Sequence, residues 1–170
     1  FSEFYSNSIG DTLLIINSDT LITYRFFKTL GVSGVLIFSD KGKLTPLGDS
    51  LFEIISNSRA YGLMAEDYSV TKLDSLKRNF FDQKQKTYNV SCIAAFEAIL
   101  THAYLKFGAH LNKGRFNPDT MLLEWNPKKL DTNWASILKY GLEKQYIKRA
   151  LDSLEPRHPG YHFLKQAIAN

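Results

Sequence analysis

The sequence predicts a mainly α protein, a single compact multi-helix domain around one long buried central helix, with long ordered loops. Two observations carry this. Ile93, Phe96, Leu100, Tyr104, Phe107 and Leu111 recur at intervals of 3 and 4, which places all six on one face of a helix. Helix punctuation also recurs along the chain, at Thr45-Pro46, Gly62, Gly114, Pro156 and Pro159. Only one short extended run, Val35 to Phe38, interrupts this pattern, and one strand makes no sheet.

Residues 1–18 form an N-terminal segment, loosely packed, ahead of a helical domain over 19–170. Asp19 is placed to cap a helix reaching about Leu30, because a short carboxylate accepts from free amides, and Gly31 supplies its left-handed stop. After Val35–Phe38, Ser39-Asp40-Lys41-Gly42 reads as a turn. Thr45 caps a helix with Pro46 at its first position, and Leu47, Leu51, Ile54 and Ile55 follow at helical spacing until Gly62. Leu63 to Tyr68 is a compact turn, and a further helix covers about 71–83.

The long helix spans about Val90 to Lys113, with His102 and Lys106 opposite its apolar stripe. Beyond Gly114, Pro118 and Pro127 make the stretch to Lys129 a long loop, anchored by Met121–Trp125. Asp131 caps a helix through Tyr140, Gly141 separates it from one over about 142–154, and Pro156 ends that. His158-Pro159 opens the last helix, with Tyr161, Leu164 and Ile168 on one face.

With 44% hydrophobic, 14% aromatic and 22% charged residues, the composition excludes disorder and collagen. The longest apolar runs fall far short of the roughly 20 residues of a membrane span, so no span is expected. The chain begins at Phe1, and the expectation is that an export signal or anchor has been removed. Residues 1–71 carry 5 Lys/Arg and 8 Asp/Glu (net −3), and residues 72–170 carry 16 and 9 (net +7). The basic groups come singly or in pairs rather than in a dense cluster, so no nucleic acid partner is expected.

Chemistry-bearing residues are sparse. Cys92, the sole cysteine, rules out an internal disulfide; among Asn89-Val90-Ser91-Cys92-Ile93-Ala94 it reads as a core thiol. His158 and His162 have the i, i+4 spacing of metal ligands, but Pro159 at the first helical position makes His158 a cap. Glu66 and Asp67, being adjacent, cap a turn rather than form an acid/base pair. No phosphate loop, dinucleotide fingerprint or nucleophile elbow is present in the sequence, and no cofactor, metal or catalytic residue is expected.

Four stretches carry a family likeness: Leu36-Ile37-Phe38-Ser39-Asp40-Lys41-Gly42-Lys43-Leu44, Tyr61-Gly62-Leu63-Met64-Ala65-Glu66-Asp67-Tyr68, Gly114-Arg115-Phe116-Asn117-Pro118, and Leu151 to Tyr161 with Pro156 and His158. In this order they resemble the scaffold domain of the large L,D-transpeptidases, multi-domain exported enzymes that cross-link bacterial peptidoglycan. Phe38 stands where that family usually has Trp, and Tyr61 where it has His. The resemblance implies structural roles for Phe38, Gly62, Leu63, Tyr68, Gly114, Arg115, Pro118, Pro156, His158 and Tyr161.

It further implies a periplasmic or envelope location, a non-catalytic role, and downstream transpeptidase and peptidoglycan-binding domains of the same polypeptide as partners. The family's nucleophile lies in a Ser-x-Gly-Cys context that Cys92 lacks. An alternative is a stand-alone module binding peptidoglycan or a protein partner, with Trp125 and Trp134 as contacts.

Overall fold

The computed structural model describes residues 14–16, 19–21, 36–81, 90–115 and 134–169. The chain is mainly α. Among the described residues, two short antiparallel strand pairs precede the helices: β1 (Leu14–Ile16) with β2 (Asp19–Leu21), and β3 (Ser39–Asp40) with β4 (Lys43–Leu44). The first corrects the helix expected from Asp19. Ile15 pairs with Thr20 and Ile16 with Asp19, so Asp19 lies in a strand rather than at a helix cap. The rest of that expected helix, 22–30, lies outside the described residues.

Helix α1 (Pro46–Ser56) starts as expected: the Thr45 hydroxyl accepts from the Gly48 amide at 3.1 Å. The helix stops at Ser56, and a 3-10 turn over Ser58–Tyr61 carries the chain to Gly62, whose φ of 72° makes the left-handed stop. A second 3-10 turn spans Ala65–Tyr68. Then α2 (Val70–Leu76) runs into a π turn over Lys77–Phe81.

Helix α3 (Val90–Lys113) has the span read from the sequence, and all six residues of its stripe are buried. Each such side chain contributes about 1.5–3 kcal/mol of burial. Burial also extends around most of the remaining surface, because α1, α2 and α4 all pack against it. His102 and Lys106 are therefore half-buried rather than solvent-facing. Alone among the described helices, α3 is long and apolar enough to cross a membrane, but 67% of its most apolar stretch is buried in the domain. Gly114, at φ 85°, ends it.

The C-terminal third departs from expectation. Asp131 and the loop with Pro118 and Trp125 lie outside the described residues. Helix α4 (Trp134–Glu143) runs straight through Gly141. That glycine is there for close approach: a Cβ would meet the Ala150 Cβ at 2.5 Å and the Tyr104 hydroxyl at 3.0 Å. The break falls instead at Gln145, with φ 58°, before the short α5 (Ile147–Asp152).

Helix α6 (Pro159–Ala169) begins at the expected proline and packs on the Ser58–Tyr61 turn. Its face is not the expected one. Leu164 and Ile168 are 68% and 53% exposed, whereas Tyr161 and Lys165 turn inward. Among the described elements its main packing is on that 3-10 turn, and a helix held so buries only a narrow stripe.

Candidate functional site

Two polar clusters bind the elements to α3. The first is near the start of that helix. Glu97, 3% exposed, interrupts the apolar run Ile93-Ala94-Ala95-Phe96 and points at the second hairpin. Its carboxylate accepts from the Ile37 amide at 3.1 Å, from the Phe38 amide at 2.9 and 3.1 Å, and from the Ser39 hydroxyl at 2.7 Å. Burial pushes its pKa up, and the converging donors pull it only part of the way back. Phe38, fully buried, is thereby fixed by its backbone as well as by its ring.

The second cluster is at the other end. Tyr68, on the Ala65–Tyr68 turn, hydrogen-bonds through its hydroxyl to His110 Nδ1 at 2.8 Å, and its ring packs on Phe107. Burial raises the Tyr68 phenol above its usual range. Burial also lowers His110, helped by the neighbouring Lys106 ammonium, so the imidazole is held neutral and either tautomer satisfies the pair.

Beside it, Arg115 grips Asp67 through Nε at 2.5 Å and Nη2 at 3.2 Å, which holds the carboxyl below the usual range. Lys106 Nζ donates to the Asp67 carbonyl at 2.9 Å. The groups a catalytic site would use are here bonded to one another, across the joint between the turn and α3.

Cys92 is not in a disulfide, and burial raises its thiol. It and His110 lie 18 residues apart on one helix, about 27 Å at 1.5 Å per residue, and His102 is about 15 Å away by the same rise. Neither imidazole can serve as its base. His158 Nδ1 accepts from the Gly160 amide at 3.1 Å, so the lone pair a metal would need is used in capping. Among the described residues no group of His, Cys, Asp and Glu is arranged to hold a metal.

The expected site residues fall at joints. Phe38 and Leu63 are core residues; Gly62 and Gly114 are helix stops; Tyr68 and Arg115 belong to the second cluster. Pro156 follows α5, and Tyr161 lies half-buried on α6, its phenol raised by burial and by the neighbouring Glu155 carboxylate. Trp134 is partly buried against the core, with Lys113 Nζ 5.8 Å from its ring centroid. Pro118 and Trp125 are outside the described residues. Sequence reasoning missed Glu97, although a lone carboxylate inside Ile93–Leu100 was a signal, and missed the pairing of Asp67 with Arg115, which has no local signature.

The fold and these clusters define a class, a helical domain in which the polar side chains buried around the long helix tie elements together. Residues 24–168 match a family model described as a scaffold domain, and the chain belongs to that family. That membership supports a non-catalytic scaffold role. No curated protein and no solved structure matches the chain.

Proposed function

We propose that this chain is the scaffold domain of an exported L,D-transpeptidase, holding a downstream catalytic domain and a peptidoglycan-binding module in fixed geometry in the bacterial envelope. The observation that carries the reading is positional. All four stretches resembling that family lie within the matched span of 24–168, and where described they occupy the joints of the fold: the Glu97-clamped hairpin at Phe38, the Gly62 stop, the Arg115–Asp67 tie and the His158 cap. Rigid joints around one long helix suit a part that transmits position rather than performs a reaction. The parent chemistry would be acyl transfer through a cysteine thioester, joining two diaminopimelate residues of peptide stems, in a domain other than this one.

The test compares the complete gene product with the chain Phe1–Asn170 by intact mass after carbapenem treatment. The expected result is a single acyl adduct on the complete product and none on this chain. An adduct on Cys92 would overturn the non-catalytic role, and an unreactive complete product would overturn the transpeptidase context.

A further inference from the structure

Two open clefts, of about 420 and 410 Å³, lie on either side of Lys148 and Asp152, which line both. They adjoin at these two residues; the first is also lined by Leu47 of α1 and Tyr146, and the second by Pro156 and by His162 of α6. The carboxylates lining the clefts are already held. Asp152 accepts from Lys148 Nζ at 2.9 Å and from the Tyr61 hydroxyl at 3.5 Å. Glu155 accepts from Lys165 Nζ at 2.7 and 2.9 Å, and that ammonium also sits 4.2 Å from the Tyr61 ring centroid.

Two further cations of the clefts are in a different state. Arg149 and Arg157 line the two clefts, both are exposed, and neither has a carboxylate partner among the described residues. We infer that the two clefts act as one groove that binds an extended acidic segment of a polypeptide, one carboxylate to each free guanidinium and an apolar side chain between them. This inference is independent of the transpeptidase reading.

Guanidinium forks match carboxylates bidentately, and their weak hydration makes them suited to an interface. Arg149, within α5, lines one cleft and Arg157, five residues past the end of that helix, lines the other, so an occupant that reaches both must extend across the neutralised Lys148–Asp152 pair that the clefts share. Tyr146, 57% exposed, and Leu47 offer apolar surface alongside. Closely spaced phosphates fit less well, because Asp152 and Glu155 would face the backbone of a nucleic acid within the groove.

The experiment measures anisotropy of a fluorescein-labelled peptide of repeating Glu-Ser-Leu, and of its Gln counterpart, against the chain Phe1–Asn170 at low salt. Saturable binding of the acidic peptide is expected, and the Gln peptide should bind roughly tenfold more weakly. The pair Arg149→Glu and Arg157→Glu should weaken binding by at least about tenfold, whereas Lys41→Glu with Lys43→Glu, an equal charge change on the second hairpin, should not. Amide shifts in the wild type should map to 145–165, a readout that needs no variant. Absence of binding, equal loss with both charge changes, shifts centred elsewhere, or tighter binding of oligothymidylate than of the peptide would each overturn the inference.

Discussion

The Glu97 carboxylate receives the Phe38 amide at 2.9 Å from one oxygen and 3.1 Å from the other, a contact between residues 59 apart that pins the hairpin to the long helix. Glu97→Ala leaves the Ile37 and Phe38 amides and the Ser39 hydroxyl without an acceptor. At about 1–3 kcal/mol for each buried group left unpaired, and with partial relaxation, the loss should be on the order of 3–5 kcal/mol. Glu97→Gln, which turns an amide donor toward other donors, should cost less but still destabilise. Urea midpoints measure both; an alanine variant within about 0.5 kcal/mol of wild type would sink the clamp.

The same residue predicts a pH trend. Its folded pKa lies above its ordinary value of 4.5, so folding favours the protonated form. The stabilisation is fully present below 4.5 and is lost as pH rises through the raised folded value. Subtracting the Glu97→Gln stability profile from that of wild type should expose this falling component. A difference that rises over that interval contradicts it.

His110 and Asp67 act in the opposite direction. Both are depressed, His110 by burial and the Lys106 charge, Asp67 by its bond to Arg115. The His110 contribution is present above its ordinary 6.5 and is lost as pH falls through the depressed folded value; that of Asp67 is present above 3.8 and goes at still lower pH. An NMR titration should find the His110 midpoint under 6.5, and Asp67→Asn should remove the most acidic part of the unfolding curve. A His110 midpoint above the ordinary value would mean that the site is wetter than described.

Gly141→Ala sets two effects against each other. Alanine in a helix interior gains roughly 1 kcal/mol over glycine, but here its Cβ would lie 2.5 Å from the Ala150 Cβ, a short side chain with nowhere to rotate. Overpacking of about 1–3 kcal/mol should win, so the variant is expected to melt below wild type. Calorimetry decides it, and a raised Tm would show that α4 and α5 can part without cost.

Cys92, with its thiol raised by burial, should alkylate slowly at neutral pH. The iodoacetamide rate should climb only at a pH above the ordinary cysteine range. Fast labelling at pH 7 would reveal an activated thiolate.

The local grammar of the chain was readable without coordinates. The stripe from Ile93 to Leu111 forced a long buried helix, Thr45-Pro46 forced a start, and Gly62 and Gly114 forced stops, because each depends on side-chain periodicity or on one residue's own backbone. What tertiary structure alone decided was partnership. Asp19 joins a strand because residues 14–16 pair with 19–21. Gly141 stays inside a helix because Ala150 crowds it. Leu164 and Ile168 are exposed because, among the described elements, α6 packs chiefly on the Ser58–Tyr61 turn. Glu97 becomes a clamp and Arg115 a tie because the amides and carboxylate they serve are 60 and 48 residues away. Periodicity records which face of an element is apolar, and only packing chooses what that face, or a buried charge within it, will meet.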